Sequence, residues 1–99
     1  MKLFYLAIAL IALSLLISGC GPSPETYEFA KCLSTNGAKM FGAFWCGHCK
    51  SQKRMFGDAF KEINYIECSL PDGKGKTALC EQADIEGFPT WEFADGSRE

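Results

Sequence analysis

The sequence lacks an excess of basic residues, and this absence bears on the partners it can have. Its 99 residues include 10 Lys and Arg against 12 Asp and Glu, so the formal net charge is −2. A protein that binds nucleic acid or an anionic membrane surface through charge usually has a positive balance. The composition therefore argues against nucleic acid and against an anionic membrane surface as binding partners, and we predict that the chain binds no nucleic acid.

The sequence also lacks an apolar segment of the length that is typical of a membrane-spanning helix. Its longest apolar run extends from Leu3 to Ile17, broken only by Ser14, and has 15 residues, whereas a spanning helix usually needs about 20. A run of this length behind Lys2 is typical of a secretory signal. We therefore predict a signal peptide over residues 1–19 and an exported chain.

The four residues that end in Cys20, ISGC, resemble the lipobox of bacterial lipoproteins. In such a lipobox, small residues precede a cysteine that is lipidated and becomes the new N-terminus. The alternative is an uncleaved signal-anchor, with Cys20 an ordinary thiol. In both cases we expect the protein to be anchored at the outer face of the cytoplasmic membrane, on its periplasmic or extracytoplasmic side. Residues 20–26 are predicted as a tether and residues 27–99 as the folded domain.

The apolar pattern of the predicted domain indicates three strands. Short apolar stretches predict strands at residues 38–45 and 65–70, and a third strand begins at Pro89 and enters a hairpin at Asp95-Gly96. Gly42 lies inside the first stretch and predicts the close approach of another backbone. No internal repeat interrupts this order.

Helical patterns separate the strands. Thr26 is the predicted cap of a first helix that ends at Asn36-Gly37, and a short third helix is predicted to start at Thr77 and to end near Gly87. A second helix is predicted from Cys46 to about Ile63, with Gly57 inside it but not breaking it. The predicted apolar face of this second helix consists of Met55, Phe56, Ala59, Phe60 and Ile63. Strands and helices in alternation predict one small α/β domain.

The chain has six cysteines but only one histidine, and this scarcity narrows the chemistry of its C-x-x-C motif. Haem attachment needs a histidine directly after the second cysteine, where this chain has Lys50. A zinc site would need a second close pair of cysteines, but eleven residues separate the candidates Cys68 and Cys80. We predict no metal and no other cofactor, with structural zinc and a purely structural disulfide in the motif as alternatives.

The position of the motif favours redox chemistry. Cys46 lies where a predicted strand gives way to a helix, so its sulfur faces unpaired N–H groups and the positive end of the helix dipole. Both stabilise the thiolate, which is the nucleophile. We therefore predict Cys46 as the exposed attacking thiol and Cys49 as the more buried resolving thiol. His48 can add positive charge near Cys46 and make the disulfide more oxidising; the alternative is a solvated residue without an electronic role.

A strand ending in FWCGHC, a helix after it and GFPT about forty residues later together resemble the thioredoxin family. The pair Gly47-His48 is similar to that of protein disulfide isomerases. The resemblance implies a small thioredoxin-like fold and a cis peptide bond before Pro89. It also implies that Phe88 and Pro89 lie beside Cys46 and, with Trp45, bind an extended substrate segment by strand addition.

The stretches 37–60, 63–77 and 87–98 resemble a more specific group, the thioredoxin-like domain associated with bacterial homologues of vitamin K epoxide reductase. Those membrane enzymes pass electrons from a thioredoxin-like partner to a quinone, and the partner oxidises newly exported proteins. The resemblance implies that this chain has such a membrane partner and cysteine-containing exported proteins as substrates. It also implies a structural disulfide between Cys68 and Cys80.

Two features depart from the family pattern. Many thioredoxins have an acidic residue in the first active-site strand where this chain has Met40, so proton transfer to the resolving thiol must use another group or water. The usual last strand and terminal helix are mostly absent before Glu99, which predicts either a C-terminally truncated fold or one that closes in another way. Cys32 lies on the apolar side of the first predicted helix, where we expect it to be buried and inert; the alternative is an exposed, redox-sensing thiol.

The leading prediction is a membrane-tethered thiol–disulfide oxidoreductase that oxidises exported proteins. A lipid-anchored thioredoxin that reduces exported proteins would share the fold and the tether, so the direction of electron flow stays open. A non-enzymatic metal chaperone or binding module is the alternative from another class. Metal chaperones usually add methionine or histidine ligands near the cysteines, and this chain offers His48 and few others.

Overall fold

The computed structural model describes residues 1–7 and 21–99. Cys20, the predicted lipidation site, and most of the predicted signal peptide lie outside the described residues. Among the residues that are described, no helix is long and apolar enough to cross a membrane.

Three strands form a mixed sheet in the order β2-β1-β3. Strand β1 covers Lys39–Gly42, β2 covers Tyr65–Glu67 and β3 covers Thr90–Glu92. Strand β2 runs parallel to β1, and β3 runs antiparallel to it. The first strand is shorter than predicted because the chain turns at residues 44–45, which leaves both aromatic side chains there exposed.

The helices of residues 21–99 are α1 (Pro24–Thr35), α2 (Gly47–Phe56), a 3₁₀ helix (Gly57–Glu62) and α3 (Ala78–Gln82). Their order between the strands confirms the predicted α/β layout. Thr77 caps α3 as predicted, since its Oγ1 accepts a hydrogen bond from the Cys80 N–H at 3.4 Å.

Helix α1 begins earlier than predicted. Ser23, and not Thr26, is its N-cap: the Ser23 Oγ accepts a hydrogen bond from the Thr26 N–H at 3.2 Å. Pro24 follows at the first helical position, where its fixed φ suits the helix and its missing N–H is not needed. Residues 24–26, predicted as part of the tether, therefore belong to the helix.

Gly57 divides the predicted second helix into two. Its backbone has φ 57° and ψ −136°, a conformation that glycine adopts far more readily than other residues. Its N–H caps α2 by donating to the carbonyls of Lys53 and Arg54, and the chain then continues as the 3₁₀ helix. The prediction that Gly57 does not break the helix is wrong, and Met55, predicted to face the core, is 80% exposed.

Strand β1 separates two apolar clusters, because successive side chains of a strand point to opposite faces. Met40 and Phe41 are both buried and belong to different clusters. The cluster on the Met40 face contains Ala30, Met40, Ala43, Cys46, Cys49, Ala59 and Ile63. The cluster on the Phe41 face contains Phe41, Cys68, Cys80 and Ile85.

Cys32 is exposed, so the prediction of a buried thiol is wrong. The buried face of α1 is set by Ala30, which is fully buried, and by Leu33, which packs against the core. Cys32 follows Ala30 by two residues, which is about 200° around a helix. Its sulfur points away from the core and accepts a hydrogen bond from the Asn36 side-chain amide at 3.4 Å.

The C-terminal part forms the predicted hairpin. The Gly96 N–H donates to the Phe93 carbonyl at 2.9 Å, and Trp91 and Glu99 exchange two backbone hydrogen bonds across it. Helix α3 ends sooner than predicted, since Asp84 adopts a positive φ of 55°.

Candidate active site at the start of helix α2

The site lies where β1 passes into α2, and Cys46 caps that helix. Its Sγ accepts a hydrogen bond from the Cys49 N–H at 3.3 Å, in the position that a capping oxygen usually fills. The Cys46 N–H bonds to the Ala43 carbonyl at 3.0 Å, which closes the turn between strand and helix. The structure therefore places the sulfur at the positive end of the helix, where the sequence predicted it.

The two thiols differ in accessibility. Cys46 is 7% exposed and Cys49 is fully buried. Cys46 is thus the more accessible of the two thiols, as predicted, although it is much less exposed than predicted. Phe88, in the loop before β3, covers Cys46. The Phe88 carbonyl lies 3.6 Å from the Cys46 sulfur, and the Phe88 ring packs edge to face against the Trp45 ring at a centroid distance of 5.8 Å. A reaction partner must therefore approach Cys46 along this loop.

The surroundings of Cys46 lower the pKa of its thiol. Burial alone would raise this pKa, but hydrogen bonds from the Cys49 thiol and N–H outweigh it, together with the His48 N–H and the charge of Lys50. His48 thus contributes through its backbone, while its side chain is exposed. The predicted electronic role of its ring stays a prediction. Lys50 was not singled out from the sequence, although it follows Cys46 by four residues on one helix face.

The surroundings of Cys49 raise the pKa of its thiol. Burial, together with the hydrogen bond that the thiol donates to Cys46, raises the pKa of the Cys49 thiol to about 11. These shifts favour the thiolate form of Cys46 and the protonated form of Cys49. Gly47 lies between them at the start of α2, and a side chain added there would meet no atom within 4 Å.

We expect Cys46 in the reduced full chain to be alkylated at lower pH than an unstructured cysteine peptide, because its pKa is lowered. Iodoacetamide rates between about pH 5 and about pH 10, resolved by peptide mass spectrometry, measure this directly. Cys49 should stay unmodified over most of that range, since its pKa is about 11. A Cys46 rate profile that coincides with the peptide would show that the helix end does not stabilise the thiolate.

Two of the predicted substrate-binding residues, Trp45 and Phe88, contact each other beside Cys46. The peptide bond between Phe88 and Pro89 is cis, as the resemblance implies. Trp45 is 51% exposed, and its indole N–H donates to the Ser69 hydroxyl at 2.9 Å. Ser69 is buried and was not identified from the sequence.

A second group that sequence reasoning missed, Tyr65 and Glu67, lies beside Gly42. Gly42 was predicted to mark the approach of another backbone, but side chains approach it instead. A Cβ added at Gly42 would lie 2.8 Å from a ring carbon of Tyr65 and 3.1 Å from the Cys49 sulfur. The Tyr65 hydroxyl donates to Glu67 at 3.1 Å. The only signal for this group was the glycine itself.

Cys68 and Cys80 lie on the opposite face of β1 from the active cysteines. The structure joins them by a disulfide bond with a Cα–Cα distance of 5.5 Å, the pairing that the resemblance implies. It connects the end of β2 to α3 across the Gly/Lys-rich turn. Within the described residues, Cys32, Cys46 and Cys49 are free thiols.

Comparison with known proteins agrees with this fold. The thioredoxin family model matches residues 26–99. A thiol-disulfide oxidoreductase, LTO1 of Arabidopsis thaliana, is 56% identical over 78 residues, which cover 74% of this chain and 20% of that protein. The protein disulfide-isomerase erp38 of Neurospora crassa is 32% identical over 63 residues, with 60% of this chain and 17% of that protein covered. Thioredoxin of Bos taurus is 30% identical over 74 residues, 68% of each chain.

The chain thus spans only about a fifth of the length of the first two of these relatives. The predicted thioredoxin-like fold is confirmed, and the predicted enzyme class, a thiol–disulfide oxidoreductase, is confirmed at the level of the family. The matched region includes both active-site cysteines, the loop of Pro89 and all three strands. This chain belongs to the thioredoxin family.

Proposed function

We propose that this protein is a membrane-tethered thiol–disulfide oxidoreductase that oxidises exported proteins through Cys46 and Cys49. The observation that carries the proposal is the position of Cys46 as the cap of α2, where its sulfur accepts the Cys49 N–H at 3.3 Å, with Cys49 fully buried one turn later. This geometry lowers the pKa of the first thiol and raises that of the second. A stabilised Cys46 thiolate favours the reduced pair, and a pair that favours reduction is an oxidant in its disulfide form. The names of two relatives, an oxidoreductase and an isomerase of disulfides, support exchange chemistry.

The oxidised pair acts in two exchange steps. A client thiolate attacks the Cys46 sulfur, a client–Cys46 disulfide forms, and the electron pair of the broken bond goes to the Cys49 sulfur. A second thiolate of the client then attacks the client sulfur of this mixed disulfide, and Cys46 leaves as its stabilised thiolate. The client loses two electrons and gains a disulfide, while both cysteines of the protein end reduced.

The surface around Cys46 suits a client that is still unfolded. Phe44, Trp45 and Leu70 are large apolar residues with 46%, 51% and 39% of their surface exposed. The rings of Phe44 and Trp45 lie near the turn at Gly73, so they form one continuous rim. Such a rim binds apolar segments that a folded protein would bury.

The anchor and the redox partner are also part of the proposal. The lipobox-like ISGC supports anchoring through Cys20 at the outer face of the cytoplasmic membrane. Each turnover leaves Cys46 and Cys49 reduced, so the protein needs an electron acceptor. The resemblance to thioredoxin-like domains associated with vitamin K epoxide reductase homologues supports a quinone-linked membrane enzyme in that role.

The reduction potential of the Cys46–Cys49 pair tests the direction of electron flow. We expect the full chain in detergent, equilibrated with glutathione buffers and quantified by thiol alkylation and mass spectrometry, to give a value between about −120 and about −180 mV, where disulfide oxidants and isomerases lie. The Cys46→Ser/Cys49→Ser variant identifies any signal from the other cysteines. A value near about −270 mV, that of thioredoxin, would instead support a reductase of exported proteins.

A further inference from the structure

The space beside Gly42 joins Cys49 to a polar pair that the exchange steps above do not use. A Cβ placed on Gly42 would lie 3.1 Å from the Cys49 sulfur and 3.1 Å from the Tyr65 hydroxyl. The two atoms are therefore at most twice that distance apart, and the Tyr65 ring, 2.8 Å from the same position, leaves no room there for a side chain. Because glycine has no side chain, nothing from this position separates them.

The Tyr65 hydroxyl is held in place from the other side. It donates to one oxygen of Glu67 at 3.1 Å, while the other oxygen accepts the Phe44 N–H at 3.2 Å and the Ser69 N–H at 3.0 Å. Two backbone groups thus fix the carboxylate, and the carboxylate orients the phenol. Rotation about its C–O bond would turn the hydroxyl hydrogen from Glu67 towards the side of Gly42 on which the Cys49 sulfur lies.

The other charged and titratable groups near Tyr65 are few. Lys53 of α2 places its Nζ 4.1 Å from the centre of the Tyr65 ring. Cys46 and Cys49 face Tyr65 from the start of the same helix. Met40 of β1, directly opposite Tyr65 in the sheet, is apolar and fully buried. No acidic side chain of β1 therefore competes for a role beside Cys49.

We propose that the Tyr65 hydroxyl is the hydrogen-bond donor that stabilises the Cys49 thiolate during disulfide exchange. This inference rests on the proposed function. When a client thiolate opens the disulfide at Cys46, the electron pair goes to the Cys49 sulfur, and the Tyr65 O–H turns from Glu67 to that sulfur. The proton that Cys49 finally takes comes from water.

Tyr65 keeps its own proton throughout these steps. Burial, with the charge of Glu67 and the hydrogen bond to it, raises the pKa of Tyr65 well above its usual value. A phenol that stays protonated can donate a hydrogen bond but does not act as a base. Tyr65 is therefore a neutral hydrogen-bond donor and not an acid, and it donates to Glu67 when Cys49 is not a thiolate.

The first test is the Tyr65→Phe variant of the full chain. Its Cys46–Cys49 disulfide should be reduced by dithiothreitol at pH 7 about tenfold more slowly than that of the wild type. This is the order expected for loss of one hydrogen bond to a developing charge, since a thiol with a less stable thiolate leaves more slowly. Tyr27→Phe is the matched control, because it removes a phenol hydroxyl from the same apolar cluster and should leave the rate unchanged.

A pH profile separates this role from a structural one. In a Cys46→Ala background, the pH midpoint for alkylation of Cys49 should move upward when Tyr65→Phe is added, because a lost donor to the thiolate raises the thiol pKa. Tyr27→Phe should not move it. Gly42→Ala adds a methyl group that would lie 2.8 Å from the Tyr65 ring, so the ring must move, and the midpoint should rise although the Tyr65 hydroxyl is still present. Urea unfolding of each variant verifies that it is folded.

The outcomes distinguish the two proposals. If the wild type exchanges disulfides but Tyr65→Phe behaves as Tyr27→Phe in both measurements, the role of Tyr65 is overturned while the proposed function stands. If the wild type does not exchange disulfides with a thiol substrate, the proposed function fails. The alkylation midpoint of Cys49 still decides whether Tyr65 stabilises its thiolate in that case.

Discussion

Replacing Cys49 by Ser is expected to leave the protein covalently joined to its substrate, whereas replacing Cys46 by Ser should abolish reaction. In the Cys49→Ser variant the Cys46 thiolate still attacks a substrate disulfide, but Cys49, the thiol one helical turn away that would release the mixed disulfide, is missing. In the Cys46→Ser variant the nucleophile is lost, and exchange should slow on the order of a thousandfold or more. These are the largest functional effects that the structure predicts.

Incubation of the reduced full-length variants with a disulfide-bonded protein such as insulin measures both effects. A non-reducing gel should show an adduct for Cys49→Ser that disappears on addition of dithiothreitol. The double variant Cys46→Ser/Cys49→Ser should show none, and Cys32→Ser, which removes an exposed free thiol, should behave as the wild type. An adduct that persists without Cys46 would assign the attack to another cysteine and contradict the site.

Removal of the Cys68–Cys80 disulfide is expected to cost about 3 kcal/mol of unfolding free energy, the value of the chain-entropy model for a loop of this size. The sequence separation of the two cysteines is 12, so their disulfide restricts a substantial loop of the unfolded chain. Both residues are fully buried, so Ala is the better replacement: a Ser hydroxyl there would lose its hydrogen bonds to water.

Urea unfolding of the Cys68→Ala/Cys80→Ala protein against the wild type gives this difference. Cys32→Ala is the control for loss of a thiol outside the core, and its effect should stay within about 0.5 kcal/mol. The pH dependence of Cys46 alkylation should be unchanged in the double variant, because the disulfide and the active pair lie in different apolar clusters. A loss below about 1 kcal/mol would contradict a stabilising role for this disulfide.

Much of the fold was predictable because its elements follow local apolar patterns. The three strands and the helices between them lie where short apolar stretches and helical periods placed them. Most errors in the elements lie at their ends, and at the end of a helix a single backbone conformation decides. Gly57 was compatible with a continuous helix in the pattern, and only its observed φ and ψ show that α2 ends there.

The active pair was predictable for a similar reason, since its chemistry depends on neighbours in the sequence. A strand that ends before Cys46 and a helix that starts after it are sufficient to place the sulfur at a helix N-terminus. The surroundings that come from distant parts of the chain were not visible in this way. The Phe88 carbonyl beside Cys46 comes from 42 residues away, and it makes Cys46 less accessible than the sequence suggested.

The sequence by itself therefore determined the order of the elements, the C-x-x-C chemistry and, through resemblance, the family. Only the tertiary structure decided what lies against Cys49. The parallel register between β1 and β2 sets Gly42 opposite Glu67 and Met40 opposite Tyr65, and this register brings a phenol to the resolving thiol. Pairing between strands depends on which faces can be buried together, and no local pattern in either strand contains that information.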